Sequence, residues 1–81
     1  MNQCHFLLKQ NQFSEQIFQF VNNRYFQKGE SSSIRFIHIR FEIEESIIEE
    51  ILEKFVKLGT ITKYYDSDFE ETRYKPKSDK L

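Results

Sequence analysis

The chain has 81 residues, 38% of them hydrophobic and nine of them Phe, with a net charge of −1, which suits one domain with a single core and no room for a second. The near-zero charge excludes a generally basic protein that coats nucleic acid. The single Cys excludes an internal disulfide framework and points to a reducing setting, cytoplasmic, or nuclear if the source is eukaryotic.

Near the N-terminus, Phe6-Leu7-Leu8 is too short an apolar run for a signal-peptide core or a membrane span, so no membrane association is expected. Residues 1–12 are otherwise polar and read as an N-terminal arm or short strand. A helix is expected to begin at Phe13. Ser14 is suited to cap it, and Phe13 and Phe18 stand at the spacing of a hydrophobic staple. Ile17, Phe18, Val21 and Tyr25 fall on one helical stripe, with Phe20 at its edge. Gly29 offers the stop after Gln27-Lys28, and residues 29–33, GESSS, form a loop.

Residues 34–43, IRFIHIRFEI, carry two periodicities. Ile37, Ile39, Phe41 and Ile43 alternate with His38, Arg40 and Glu42, which is the pattern of a half-buried strand. Ile34, Ile37 and Phe41 also recur at the spacing of one helix face. Beyond them, Ser46 and Glu49 fit a capping box, and Ile48, Ile51, Leu52, Phe55 and Leu58 form an apolar stripe. Glu50 with Lys54, and Glu53 with Lys57, are i,i+4 pairs in the favourable orientation. Gly59 ends this helix. ITKYY, residues 61–65, and FEETRYK, residues 69–75, then predict a hairpin about Asp66-Ser67-Asp68, and a polar tail, residues 78–81, closes the chain.

From about Phe13 to Lys77 this order resembles a winged helix-turn-helix domain. Ile34, Ile37 and Phe41 match the inward positions of its second helix, and Ile43 the apolar residue of its turn. Ile48, Leu52 and Phe55 match the packing face of its third helix. Leu58-Gly59-Thr60-Ile61 matches the exit into the wing, which would run from Tyr64 to Tyr74. The resemblance implies a small α+β domain of residues 13–77, with three helices and a C-terminal β-hairpin wing. Two features depart from it. Glu42 stands where such domains often carry Gly, and six of the ten residues 34–43 are β-branched or aromatic, poor helix formers. The alternative is an α+β fold in which residues 34–43 are a strand, in a sheet with 61–65 and 69–75.

In a DNA-reading winged helix the third helix enters the major groove. Here Glu44 to Lys57 carries five Glu against two Lys, a net −3, and a carboxylate beside phosphate weakens binding. Glu45, Glu49, Glu50 and Glu53 lie off the apolar stripe. They are candidate protein contacts, together with Tyr64, Tyr65 and Arg73 of the wing; equally, glutamates near a helix N-terminus form an ordinary solvated face. Positive charge gathers elsewhere, at Arg35, Arg40, Lys63, Arg73, Lys75, Lys77 and Lys80, and offers shallow phosphate contacts or simply solubility. The aromatics Tyr64, Tyr65, Phe69 and Tyr74, joined by Phe36, His38 and Arg40 if 34–43 is a strand, could stack bases or pack the wing.

Catalysis finds little footing. Cys4, His5 and His38 lack metal-ligand spacing, and Cys4 and His5, adjacent on an extended arm, would point apart. With Gly29 and Gly59 the only glycines there is no phosphate-cradling loop, and Asp66 and Asp68 suit a turn. Small iron-transport regulators of the winged-helix type carry clustered Cys in the wing; this chain has none there. The expectation is therefore a non-enzymatic binding protein, without metal or cofactor, that acts through protein contacts as a small regulator or subunit of a larger complex. One alternative is a dimeric DNA-binding regulator using Arg35, Arg40, Lys63, Arg73, Lys75 and Lys77. Another is a small inhibitor of viral or mobile-element type whose acidic helix blocks a nucleic-acid groove.

Overall fold

The computed structural model describes residues 2–77, with side chains from Phe13 onward. Three helices, α1 (Asn2–Lys28), α2 (Ile34–Phe41) and α3 (Glu45–Leu58), precede an antiparallel hairpin of β1 (Ile61–Asp66) and β2 (Glu71–Pro76). This is a small α+β domain whose element order is consistent with a winged-helix-like layout.

The first helix is longer than expected. The arm assigned to residues 1–12 is, from Asn2, helical backbone continuous with the rest of α1, and Ser14 lies inside the helix instead of capping it. The segment 2–28 contains no Gly or Pro, so nothing in it breaks the helix at Phe13. Ile17 and Val21 are fully buried, and Phe18 stacks on Phe55 of α3 with ring centroids 4.7 Å apart. Gly29 ends α1 as expected, at φ 71°, with its N–H donating to Tyr25 O at 2.8 Å.

Residues 34–41 are helical, so the alternative that made 34–43 a strand is overturned. Burial tells the same story. A strand would bury Ile37 and Ile39 on one face, yet Ile37 is 0% and Ile39 65% exposed. Ile34 and Phe41 pack against the core at the helical spacing instead, and Phe41 meets Phe20 of α1 edge-on at 5.2 Å. Packing overrides the poor propensity of these residues. Local capping helps: Ser33 Oγ accepts from Phe36 N–H at 3.1 Å. At the other end Glu42 adopts the left-handed conformation, φ 60° and ψ 40°, and its N–H donates to His38 O at 2.8 Å. The turn thus has the backbone a glycine would favour, built with a glutamate. His38 Nδ1 donates to Ile43 O at 2.7 Å, tying the turn to α2.

The capping box expected at Ser46 and Glu49 does not form. The helix begins at Glu45, and the carbonyl of Glu44 accepts from the Ile47 and Ile48 N–H groups, both at 3.1 Å, with no side-chain cap. Burial of Ile43 and Ile48 sets this earlier start. Ile48, Ile51 and Leu52 are buried and Phe55 packs beside them, but Leu58, expected on the same stripe, is 72% exposed where Gly59 (φ 85°) turns the chain away.

The hairpin strands also differ from expectation at the turn. Residues 67–70 form it, Glu70 is left-handed at φ 54°, and Phe69 lies in the turn and not in β2. Asp66 Oδ1 accepts from the Asp68 N–H at 2.9 Å, the local bond expected of Asp there. The register places Ile61 opposite Pro76, Lys63 opposite Tyr74 and Tyr64 opposite Arg73. On its far side β2 bonds to Ser32, with Ser32 N–H to Tyr74 O at 2.9 Å and Tyr74 N–H to Ser32 O at 2.7 Å. β2 is therefore central, flanked by β1 and the serine loop. The core is Ile17, Val21, Ile37, Ile43, Ile48, Ile51, Leu52, Ile61 and Tyr74, each 7% exposed or less. At about 1.5–3 kcal/mol per fully buried large apolar side chain, this cluster is the main stabilising element.

Candidate functional site

Alternation along the hairpin gives it two faces with different chemistry. Ile61, Lys63 and Tyr65 share one face with Tyr74 and Pro76 of β2, and that face adjoins α3. Tyr64 and Asp66 share the other with Arg73 and Lys75. The residues proposed as contacts divide between these faces.

On the α3 side, Glu45, Glu49 and Glu50 are exposed, and Glu53 is half-buried because Lys63 Nζ donates to its Oε2 at 2.6 Å. Ser46, Glu49, Glu50, Glu53, Lys54 and Lys57 border an open shelf of about 550 Å³. Glu53 therefore pairs across to the wing, where the sequence suggested Lys57. That hydrogen bond is the chief reason the Lys63 pKa is raised, with the charges of Tyr74 and Glu53 adding to it. Burial raises the pKa of Tyr74, partly opposed by the positive charge of Lys63. Tyr65, 64% exposed, stands on the same side as the glutamates.

The opposite side of the hairpin forms a cleft of about 430 Å³ with the end of α1 and the serine loop. Arg73 is 9% exposed there. Its Nε donates to Ser31 Oγ at 2.7 Å, its Nη2 to Ser31 O at 2.8 Å, and its Nη1 to the Glu71 carboxylate. Its guanidinium also lies 4.3 Å from the Phe69 ring centroid. Arg73 is thus held inside the protein by Ser31 and Glu71, although the sequence offered it as both a protein and a nucleic-acid contact. Tyr64, offered as a protein contact, turns its hydroxyl inward and donates to Ser31 Oγ at 2.8 Å. Lys75 Nζ lies 5.1 Å from the Tyr64 ring centroid and 5.8 Å from that of Tyr25.

The six cations proposed for nucleic acid do not form one surface. Lys63 is ion-paired on the α3 side, Arg73 is buried in the cleft, and Lys75 lines that cleft. Arg35 and Arg40 are exposed on α2, and Lys77 follows β2 with its N–H donating to Thr60 O at 3.0 Å. Cys4 and His5, considered as ligands or nucleophile and base, lie outside the residues whose side chains are described, and Lys80 lies beyond residue 77. Among the described residues no group of three His, Cys, Asp or Glu side chains could hold a metal ion, and no helix is long and apolar enough to cross a membrane.

Two residues of structural weight escaped the sequence reading. Arg24 is 17% exposed at its side chain, with Nη2 donating to Glu30 Oε1 at 2.7 Å and its guanidinium 4.2 Å from the Phe36 ring centroid. Its spacing held the signal, since it follows Ile17 and Val21 on the buried stripe. Ser31 had no such signal, because one serine of a polar run looks like loop. Compared with known proteins, the chain matches no family model, no curated protein and no solved structure.

Proposed function

We propose that the chain is a non-enzymatic binding module of winged-helix type that works through protein contacts, as a small regulator or a subunit of a larger complex. One observation carries this reading. The helix that would enter a DNA groove presents Glu45, Glu49 and Glu50 to solvent, and the neighbouring wing cation Lys63 is already held by Glu53. Such a surface repels phosphate and suits a partner with a basic face. Arg73 points the same way, since Ser31 and Glu71 hold its guanidinium and the Glu71 carboxylate offsets its charge.

Exposed apolar side chains supply what a protein partner could bury. Ile39 and Tyr65 are 65% and 64% exposed, and interfaces draw their affinity from a few such anchors. The test is quantitative cross-linking and co-purification from cells of the source organism, comparing the wild-type chain with an E45A/E49A/E50A variant. The reading expects a partner whose recovery falls at least tenfold in the variant while the fold, checked by circular dichroism, is unchanged. Equal recovery of every co-purifying protein would refute it.

A further inference from the structure

We infer that the cleft between the end of α1, the serine loop and the hairpin binds a small ligand carrying an oxyanion, carboxylate or phosphate monoester, on a planar ring. The cleft lies on the face of the hairpin away from α3, so this inference is independent of the acidic surface.

Its size fits. At about 430 Å³ it falls in the range of small-molecule sites. One of its cations is open to a ligand. Arg24, Arg73 and Lys75 line it together with Glu30 and Asp66. Arg24 is paired with Glu30, Arg73 with Glu71, and the Asp66 carboxylate accepts from the turn at Asp68. Among the described residues Lys75 has no carboxylate partner, only the faces of Tyr25 and Tyr64. An ammonium held between two rings at the edge of a half-buried cleft is a ready partner for an incoming anion.

A second donor stands beside it. Ser31 is 8% exposed, and its Oγ accepts two hydrogen bonds, from Tyr64 Oη and from Arg73 Nε. An arginine Nε can only donate and a single proton bridges the two hydroxyls, so one hydroxyl proton of the Ser31–Tyr64 pair is left over. No hydrogen bond that uses it is found among the described residues. Buried hydroxyls are ordinarily satisfied, and an oxyanion at Lys75 would satisfy this one. The ring requirement comes from Phe69, which is 62% exposed at the cleft, with Arg73 against it and the rest of its surface open to a planar group.

The experiment is an amide-resolved NMR titration of the full chain with three probes: phenyl phosphate, benzoate and inorganic phosphate. Saturable shifts confined to residues around Ser31, Tyr64 and Lys75 are expected with phenyl phosphate, benzoate or both, and the stronger of the two identifies the oxyanion. Inorganic phosphate, lacking the ring, should bind at least fivefold more weakly than the better probe. K75M should weaken that binding at least tenfold and Y64F several-fold, whereas K54M on α3 should leave it unchanged. Y64F keeps the ring and decides the question if K75M fails to fold. Absence of saturable shifts with either ring-bearing probe, equal binding by inorganic phosphate, or undiminished binding by folded Y64F and K75M would each overturn the inference.

Discussion

Arg73 and Ser31, 42 residues apart in sequence, are joined by two hydrogen bonds, from Nε to the serine hydroxyl at 2.7 Å and from Nη2 to its carbonyl at 2.8 Å. Together with the backbone pair between Ser32 and Tyr74, they fasten the loop after α1 to the central strand of the hairpin. A turn that looks free in the sequence is thereby made part of the sheet. The orientation of the wing relative to α1, and with it the shape of the cleft, depends on this clasp.

Replacing Arg73 should therefore act on stability. Arg73→Met leaves the Ser31 carbonyl and hydroxyl and the Glu71 carboxylate short of a donor. Hydrogen bonds to a charged group contribute about 1.5–3 kcal/mol, and removing one buried partner leaves the others unsatisfied. A loss of roughly 2–4 kcal/mol is expected, read as a lower urea midpoint at unchanged m. Arg73→Lys should be intermediate, because an ammonium cannot reproduce the two-pronged geometry. A midpoint equal to wild type for Arg73→Met would show that the clasp contributes nothing.

Glu42 offers a gain. At φ 60° it holds a conformation that L-residues other than Asn and Asp seldom adopt, and it lies exposed between α2 and α3. Glu42→Gly should raise stability by about 1 kcal/mol, since relief of left-handed strain exceeds the extra entropy of glycine in the unfolded chain. Thermal unfolding checks this, and a lower melting temperature would contradict it.

The alkaline limit of stability should be set in part by Tyr74 and Lys63. Burial raises Tyr74 above its ordinary 10.0, and the hydrogen bond to Glu53 raises Lys63 above its ordinary 10.5. Both groups hold their protons more tightly folded than unfolded. Their contribution is complete below pH 10.0 and is lost as pH rises through the raised folded values, because the unfolded chain deprotonates first. The urea midpoint should fall as pH rises above 10.0, and Tyr74→Phe should make that fall shallower. An identical fall in the variant would exclude Tyr74 as a cause.

The elements were legible in different degrees. Gly29 and Gly59 marked the ends of α1 and α3 because each occupies a left-handed position that side chains disfavour. The stripe Ile48, Ile51, Leu52 identified α3, and the turn at Asp66 identified the hairpin. Residues 34–43 were ambiguous for a physical reason: Ile37 and Phe41 are inward in either periodicity, and only Ile34 and Ile39 separate them, since a strand would bury Ile39 with them and the helix exposes it and turns Ile34 to the core. The start of α1 was misplaced because Ser14 is as compatible with a helix interior as with a cap. The cleft was largely illegible, since it is made of contacts between Arg24, Ser31, Tyr64, Arg73 and Lys75 that span the chain. The residues were visible as charged or aromatic, but their partners were not.

The central functional claim, that α3 and the wing turn away from polyanions, is tested most directly by titrating the full chain against a random-sequence DNA duplex at low salt, followed by fluorescence anisotropy. The account predicts no saturable binding, and no change between low and physiological salt. Tight binding that weakens steeply with added salt, the signature of several lysines or arginines displacing counterions from phosphates, would contradict it.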